Sequence, residues 1–401
     1  MLPVSDLLQR ARDETSSAAV GALSPPRFAV PGFHAPLIVW NVCRHCNMSC
    51  PHCYTAGAYR PSRADLTTEE GIRLLDELAA CGVRTVIFSG GEPLLRADLL
   101  ELLAHASSVG ISPQLSTNGV FIDEATAEEL ADAGVAYVGV SIDGVRGFND
   151  GYRGMAGGHA AACRGLHLAR EAGMRTGLHM TLTRLNADQL PDLAELANEL
   201  SVDRFYVSHL LYSGRGRRMA QADLSRDEAR QVLGSLFELA DAWLDRDSPT
   251  RVATGSNDSD GPLLLRWIES RYGGVAAWPV QMLLLERGGN SAGEKILNID
   301  YQGFVHPDQF WRSEKLGDVR KQSFESILRH PLRQLLADRL DYLTGRCAAC
   351  DYQRLCRGSH RERAIVFHGD RWAPDPACVL EDAEIGVRER LAEVGGSPWA
   401  S

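Results

Sequence analysis

Three cysteines stand close together near the start of the chain, at Cys46, Cys50 and Cys53. They are separated by three and then two residues, and they follow the apolar run 37–40. A structural zinc site is closed by four protein ligands, whereas a four-iron cluster held by three thiolates leaves one iron open for another ligand. The spacing therefore predicts an iron–sulphur site with one open position.

A fourth thiol, Cys43, leaves an alternative open. Together with Cys46 it forms a Cys-x2-Cys pair, which is the spacing of many zinc sites. A zinc centre built from Cys43, Cys46, Cys50 and Cys53 would hold metal without any open position. The cysteines alone do not choose between the two kinds of site.

A second group of thiols lies near the C-terminus, at Cys347, Cys350, Cys356 and Cys378. Four thiols with one Cys-x2-Cys pair can close around zinc or around a second four-iron cluster. Of the two thiols elsewhere, Cys81 falls at the end of a predicted helix and Cys163 inside one, so both are most simply core residues.

Polar residues follow three of the predicted strands. The second strand ends in Ser89-Gly90-Gly91-Glu92-Pro93, where glycines allow close approach of a ligand and Glu92 can accept from an ammonium group. The third ends in Ser116-Thr117-Asn118-Gly119 and the fourth in Ser141-Ile142-Asp143-Gly144, with Arg153 soon after. Read in isolation, these segments are also compatible with turns, a helix N-cap and a solvated arginine.

Taken together, the cysteine motif, the aromatic Tyr54 after it and the Gly-Gly-Glu-Pro segment resemble the radical S-adenosylmethionine (SAM) enzymes. The resemblance implies that the open iron chelates the amino and carboxylate groups of SAM, whose cleavage gives a 5'-deoxyadenosyl radical. It also implies that the strand-end residues hold SAM. The implied contacts are Tyr54, Gly90, Gly91, Glu92, Asn118, Ser141, Asp143 and Arg153.

The C-terminal thiols resemble the SPASM-type domain that some radical SAM enzymes carry. This implies that Cys347, Cys350, Cys356 and Cys378 bind an auxiliary iron–sulphur cluster. A full domain of this type has further cysteines, but the corresponding segment 305–311 has no thiol, so we expect one auxiliary cluster. The expected cofactors are two [4Fe–4S] clusters and SAM.

A narrower resemblance, from about residue 25 to residue 385, is to the radical SAM proteins of haem d1 biosynthesis. It rests on the segments 40–41, 212–216, 288–295, 298–300, 306–311 and 375–378. It implies an iron tetrapyrrole substrate, didecarboxysirohaem, whose two propionate groups are replaced by oxo groups. Cys43, and Arg357 where relatives have glycine, depart from the pattern. A SPASM-type maturase of a peptide and a haem-pathway decarboxylase are the alternatives.

Candidate contacts to such a polycarboxylate substrate are cationic or polar side chains near strand ends. Arg215 and Arg217 lie just past the sixth predicted strand, and Asn290 lies in a glycine-rich loop. His209 and His306 are candidate ligands to the substrate iron or candidate acids. For each of them a purely structural or solvated role is the alternative.

Alternating strand and helix patterns must position these residues. Apolar runs that predict strands occur at 37–42, 85–88, 111–116, 137–142, 176–182 and 204–207, and helical patterns follow each of them. This alternation predicts parallel strands with right-handed crossovers and a site at their C-terminal ends. The expected α/β fold is a partial (β/α)6 TIM-type barrel with a C-terminal SPASM-like auxiliary iron–sulphur domain. The predicted segments are an extension (1–35), the barrel (36–250), a connecting segment (251–290), and the auxiliary domain with a C-terminal helix (291–401).

Bulk composition narrows the class of protein. The chain has 401 residues, a formal charge of −10 and ten cysteines. An acidic balance argues against a nucleic-acid partner, and no apolar window predicts a membrane span. Most of the thiols are clustered like metal or cluster ligands and do not resemble the disulfide framework of a secreted protein. This predicts a reducing, cytoplasmic compartment. We also expect a monomer that takes electrons from a donor such as ferredoxin or flavodoxin.

Overall fold

The computed structural model describes residues 1–16 and 35–386. The C-terminal helix predicted at the end of the chain, and residues 17–34 of the predicted extension, lie outside the described residues. The described residues form two compact units. The first contains 1–16, 224–290 and 338–386, and the second contains 35–223 and 291–337.

The strands, in chain order, are β1 (Leu37–Asn41), β2 (Thr85–Ser89), β3 (Ser112–Thr117), β4 (Tyr137–Ser141), β5 (Arg175–Leu182), β6 (Arg204–His209), β7 (Arg251–Gly255), β8 (Ile296–Ile299), β9 (Phe304–His306) and β10 (Gly317–Asp318). The helices are α1 (Val4–Ser16), α2 (Thr68–Ala80), α3 (Leu99–Ser108), α4 (Glu124–Asp132), α5 (Arg146–Arg153), α6 (Gly158–Glu171), α7 (Leu190–Glu199), α8 (Arg226–Asp245), α9 (Asp260–Tyr272), α10 (Gly274–Arg287), α11 (Phe324–Leu328), α12 (Pro331–Ala337), α13 (Gly345–Ala348), α14 (Gln353–Cys356) and α15 (Arg361–His368).

The second unit is built on a sheet with the strand order β10-β9-β8-β1-β2-β3-β4-β5-β6. Strands β1 to β6 pair in parallel in chain order, and β8 joins the free side of β1, also in parallel. β9 and β10 continue the sheet in antiparallel pairing. The predicted α/β partial barrel is confirmed. Parallel pairing brings the C-terminal ends of β1 to β4 to one edge, where the polar strand ends meet.

Local sequence explains why the crossover helices begin where they do. Thr67 caps α2 by accepting from the backbone of Glu70, and the Glu70 carboxylate accepts from the Thr67 backbone in return. This reciprocal pair satisfies two donors at the start of the helix. Leu74, Leu75 and Leu78 of the same helix are buried, so its apolar stripe faces the core.

Residues 251–290, which were predicted only to connect two domains, form β7, α9 and α10 and belong to the first unit. Pro262 stands in the first turn of α9, and Pro279 lies inside α10. Proline in a first turn is compatible with a helix, although in the sequence it reads as a break. These prolines therefore hide the helical periodicity of residues 251–290 when only the sequence is considered.

The N-terminal helix is part of the first unit. The Leu2 backbone donates to the carbonyl oxygen of Thr254 in β7 at 2.6 Å. Arg12 pairs with the buried Asp241 of α8, with its Nη2 2.6 Å from Oδ1. Residues 291–337, predicted to belong to the auxiliary domain, instead contribute β8 to β10 to the sheet of the second unit. In the described residues, no helix is both long and apolar enough to cross a bilayer.

Candidate functional site

The three cysteines of the N-terminal motif follow β1 directly. Cys46 and Cys50 are buried with Met48, and Cys53 packs against the same group. The Ser49 backbone donates to the carbonyl oxygen of Arg153 at 3.0 Å, which ties the cysteine loop (residues 43–54) to the end of α5. The structure thus brings the three predicted ligands together at the C-terminal edge of the sheet.

The chemistry of these thiols fits an iron–sulphur cluster. Burial raises the pKa of Cys46 to about 12 and raises the pKa of Cys50 above its usual range. Such thiols are neutral unless a metal binds, because coordination removes the thiol proton. Among residues 1–16 and 35–386, no three His, Cys, Asp or Glu side chains are placed to share one metal ion. A cluster does not require this, since each thiolate binds a different iron.

Cys43 has a separate place. Its Sγ donates to the carbonyl oxygen of Glu92 at 3.3 Å, and the carbonyl oxygen of His45 lies 3.6 Å away. Burial raises the pKa of the Cys43 thiol to about 12, and the negative charge of Glu92 acts in the same direction. Cys46 has a similarly raised pKa, so the distinction rests on geometry: the Cys43 thiol is directed at backbone carbonyl oxygens, which favours a site with three thiolates.

The Gly-Gly-Glu segment packs against the backbone of the cysteine loop. Gly91 donates to the carbonyl oxygen of Cys43 at 2.8 Å, and Glu92 donates to that of His45 at 2.6 Å. A Cβ atom on Gly91 would lie 2.1 Å from the carbonyl oxygen of His45, so only glycine fits. Gly90 and Gly91 therefore fix the distance between the end of β2 and the cysteine loop.

The Glu92 carboxylate joins the ends of β2 and β3. It is fully buried, and it accepts from Thr117 Oγ1 at 2.6 Å, from the Asn118 backbone at 2.8 Å and from the Leu94 backbone at 3.1 Å. Burial raises the pKa of Glu92 despite these donors. Asn118 in turn donates from Nδ2 to Asn47 Oδ1 at 2.8 Å. The predicted SAM contacts Glu92 and Asn118 are thus held directly beside the cysteine loop.

Asp143 and Arg153 form a buried ion pair, with Arg153 Nη1 2.6 Å from Asp143 Oδ2. Burial opposes the charge on Arg153, but the neighbouring Cys50 and Asp143 more than compensate and raise its pKa. Among the described residues, the buried Nε of Arg153 has no partner. Ser141, also predicted to contact SAM, is the half-buried last residue of β4.

His52 is a site residue that the sequence interpretation passed over. Its Nε2 lies 3.3 Å from Asp143 Oδ2, and its ring stacks on Tyr152 at a centroid distance of 5.3 Å. Burial lowers the pKa of His52, although the charge of Asp143 opposes this. The signal was present in the sequence, because His52 stands inside the motif between Cys50 and Cys53.

Tyr54 is the last residue of the cysteine loop. Its hydroxyl group accepts from Asn41 Nδ2 at 2.9 Å and lies 3.3 Å from Ser89 Oγ. Its ring meets that of Phe310 edge-to-face at 5.0 Å. Tyr54 therefore joins the ends of β1 and β2 to the segment after β9.

A second residue that the sequence interpretation missed is Arg312. Its Nη2 is 3.5 Å from Asp300 Oδ2, and its buried Nη1 has no partner in the part of the chain that the structure describes. Its backbone donates to the carbonyl oxygen of Phe310 at 3.0 Å, and the Phe310 ring contacts that of Tyr54 in the cysteine loop. Arg312 directly follows the segment 306–311, on which the resemblance to the family partly rests. This position is the sequence signal that pointed to Arg312.

The predicted substrate contacts of the second unit have different surroundings. Arg215 is bound to the cysteine loop, and Arg217 is exposed. His209 is the buried last residue of β6. His306 has partners for both ring nitrogens, Glu314 O at 2.6 Å from Nδ1 and Asp300 Oδ2 at 3.2 Å from Nε2, which favours a structural role.

The C-terminal thiols meet in the first unit. Cys347, Cys350, Cys356 and Cys378 line one small cavity, together with Arg346 and several apolar side chains. Burial raises the pKa of Cys347 and Cys350 to about 11 and raises that of Cys356 further. Four soft donors around one cavity fit a fully ligated cluster.

Asp375 fixes the chain on both sides of this cavity. Its carboxylate pairs with Arg363 through two bonds of 2.8 Å, and it also accepts from the backbones of His360 at 2.9 Å and Ala377 at 3.0 Å. Asn290 belongs to this unit, where its backbone donates to the carbonyl oxygen of Cys356 at 3.2 Å and its side chain donates to Asp258. These bonds place Asn290 beside the C-terminal thiols.

Comparison with known proteins gives consistent matches. The model of the radical SAM superfamily matches residues 40–197. The chain is 39% identical over 360 residues to the Fe-coproporphyrin III synthase of Methanosarcina barkeri, covering 88% of this chain and 90% of that protein. It is 37% identical over 379 residues to the pre-haem d1 synthase of Dinoroseobacter shibae, covering 94% of each. The structure of Streptococcus suis SuiB bound to S-adenosylmethionine is similar in fold, with a TM-score of 0.68 and 18% identity over 87% of this chain and 78% of that one.

Proposed function

Because the chain belongs to the radical SAM superfamily, we propose that it is an enzyme of haem d1 biosynthesis that acts on didecarboxysirohaem. In this proposal two propionate side chains are removed and oxo groups take their place. The main support is the 37% identity to a pre-haem d1 synthase across 94% of both chains. The similar identity to an Fe-coproporphyrin III synthase supports a tetrapyrrole substrate as well.

Membership of the superfamily implies a [4Fe–4S] cluster and SAM. We assign the cluster to Cys46, Cys50 and Cys53, whose buried thiols converge after β1. When bound, this pair of cofactors supplies a carbon radical able to take hydrogen from an unactivated carbon, which no side-chain base can do. A second [4Fe–4S] cluster, held by Cys347, Cys350, Cys356 and Cys378, completes the proposed set.

The residues around the cysteine loop would then bind and orient SAM. Asp143 and Arg153 form a charged pair, and the Nε of Arg153, which has no partner within the described ranges, can donate to the SAM carboxylate. Glu92 keeps the third strand end against the loop through Thr117 and Asn118. Such fixed groups position the reactants and need little reorganisation during the reaction. Tyr54, Gly90, Gly91 and Ser141 are the remaining proposed contacts.

A tetrapyrrole with several carboxylates needs cationic partners, although the chain is acidic overall. Arg312 follows Phe310, whose ring contacts Tyr54, and its buried Nη1 has no partner among the residues that the structure describes. A guanidinium group binds a carboxylate through parallel hydrogen bonds, and aromatic rings suit a flat macrocycle. We therefore add Arg312 to the proposed substrate contacts. The exposed Arg217 is compatible with a contact at the rim.

The remaining parts of the proposal concern partners and location. We propose that a ferredoxin or flavodoxin delivers the electron, and that the enzyme works as a cytoplasmic monomer. The clustered thiols need a reducing compartment to stay available for iron.

Mass spectrometry of didecarboxysirohaem after anaerobic incubation with SAM and a reductant tests the function. We expect a product that has lost two propionate groups and gained two oxo groups, with 5'-deoxyadenosine formed alongside. A product with the mass of Fe-coproporphyrin III would instead support the haem-pathway alternative, which the 39% identity favours. No Soret shift on titration with the tetrapyrrole would reject both and favour a peptide substrate.

A further inference from the structure

Arg215 is held by the cysteine loop rather than directed away from it. Its side-chain Nε donates to the carbonyl oxygen of Cys50 at 2.8 Å, and Nη1 donates to that of Gly57 at 2.9 Å. Its backbone donates to the carbonyl oxygen of Cys53 at 2.9 Å. One residue therefore bonds to two of the three proposed ligands and to the chain just beyond them.

The residues on either side of Arg215 are adapted to this contact. Gly214 has φ of 56°, and a Cβ atom there would lie 2.3 Å from the carbonyl oxygen of Tyr54. A Cβ atom on Gly216 would lie 3.1 Å from the carbonyl oxygen of His52. Backbone of residues 214–216 thus lies directly on the cysteine loop, and a larger side chain at Gly214 would push the two apart.

The third nitrogen of Arg215 differs from the other two. Within residues 1–16 and 35–386, the buried Nη2 has no hydrogen-bond partner, and the charge of the guanidinium acts on the thiol of Cys50. A buried donor without a partner is costly, and more so when it carries charge. Such an atom, in a side chain bonded to the backbone of a proposed cluster ligand, indicates an anionic ligand that supplies the missing acceptor.

We propose that Arg215 is a positioning residue for the cluster bound by Cys46, Cys50 and Cys53. Two of its nitrogens hold the loop in the conformation that directs the thiols, and Nη2 with its positive charge faces the anionic cluster. Hydrogen bonds to the sulphur atoms and nearby positive charge stabilise the more negative, reduced state of a cluster. Arg215 therefore makes the cluster easier to reduce. The inference rests on these three cysteines as ligands and not on the identity of the substrate.

Two substitutions and a matched control test this inference. Arg215→Gln removes the charge, and Arg215→Lys keeps the charge but reaches fewer of the carbonyl oxygens. Arg218→Gln makes the same change of charge at an exposed position three residues away. For each anaerobically reconstituted full chain, we would measure iron content, circular dichroism, and the cluster potential by a redox titration followed by electron paramagnetic resonance.

We expect Arg215→Gln to shift the ratio of oxidised to reduced cluster at least about tenfold toward the oxidised form, which is 59 mV for one electron. Arg215→Lys should retain a potential close to wild type but bind less iron, and Arg218→Gln should match wild type in both. If Arg215→Gln binds no iron yet keeps its native circular dichroism, the clamping role is supported and Arg215→Lys reports the potential.

Wild-type potential and iron content in both Arg215 variants would overturn the proposal. An equal shift in Arg218→Gln would do the same, because the effect would then be general electrostatics. Loss of native circular dichroism in both Arg215 variants also counts against it, since Arg215 would then serve the fold. Wild-type protein that binds no cluster at these cysteines would reject the ligand assignment itself, which is a separate outcome.

Discussion

Arg153 Nη1 lies 2.6 Å from Asp143 Oδ2, and the two side chains are 7% and 1% exposed. Their backbones are ten residues apart, at the two ends of the stretch that runs from β4 through α5. The Asp143 carboxylate also accepts from the Thr181 backbone at 2.9 Å. A buried charge pair of this kind is sensitive to the loss of either partner, because the remaining charge is left without compensation.

We expect Asp143→Asn to destabilise the protein by about 3 kcal/mol, since Arg153 would keep a buried charge without its counterion. The double variant Asp143→Asn/Arg153→Met should recover part of this loss, because it removes both charges. Urea unfolding of wild type, both single variants and the double variant measures the coupling. A double variant that is no more stable than Asp143→Asn would show that the pair is not what stabilises this region.

Cys43→Ser tests whether the N-terminal metal site uses three thiols or four. The Cys43 thiol donates to the carbonyl oxygen of Glu92, and a serine hydroxyl can make the same bond. We therefore expect Cys43→Ser to keep wild-type iron content and reductive cleavage of SAM, whereas Cys50→Ser should lose the cleavage. Loss of about four irons in Cys43→Ser would assign Cys43 as a ligand and contradict the three-thiol site.

The sequence was sufficient for the barrel and for the strand ends. Each parallel strand is a short apolar run followed by polar residues, so the edge at which Glu92, Asn118 and Asp143 meet could be inferred without coordinates. The reciprocal cap of Thr67 and Glu70 was equally readable, because both halves lie within four residues.

What could not be predicted depends on contacts between distant parts of the chain. The bonds of Glu92 to Thr117 and Asn118 cross 25 and 26 residues, and those of Arg215 to the cysteine loop cross more than 150. Sequence patterns report local periodicity and not such partners. Arg215 was therefore predicted to bind a carboxylate, whereas its side chain is bonded to the loop. The place of residues 291–337 in the sheet of the second unit could not be predicted either, because it also depends on contacts between distant parts of the chain.

Asp375→Asn probes the C-terminal thiols alone. The change removes the carboxylate that pairs with Arg363 and that holds the backbones of His360 and Ala377 near Cys356 and Cys378. We expect the iron content to fall from about eight to about four per chain, with SAM cleavage retained, because the N-terminal thiols belong to the other unit.

The exposed Asp370 provides the matched control for this change. It accepts from the Trp372 backbone at 2.9 Å, and Asp370→Asn should leave the iron content unchanged. Iron and sulphide analysis of the reconstituted proteins gives the comparison. Equal iron content in wild type and Asp375→Asn would mean that the Asp375 network is not needed for assembly of the second site.

The lowered pKa of His179 predicts how the free energy of unfolding depends on pH. His179 is half-buried in the second unit, where its Nε2 is 2.9 Å from the Tyr137 hydroxyl oxygen. Burial, assisted by the charge of Arg204, lowers the pKa of His179 from 6.5 to about 4. Between these values the unfolded chain binds a proton that the folded chain does not, so stability falls as the pH drops below 6.5. Above 6.5 the contribution is fully present.

The variant His179→Gln cannot titrate in this range but keeps a polar group for Tyr137. We expect wild type to lose about 2 kcal/mol relative to His179→Gln between pH 6.5 and pH 5, at roughly 1.4 kcal/mol per pH unit. Urea unfolding of both proteins at pH 7, 6 and 5 measures the difference, in which the titration of all other groups cancels. Parallel pH profiles for the two proteins would show that His179 keeps an ordinary pKa in the folded state.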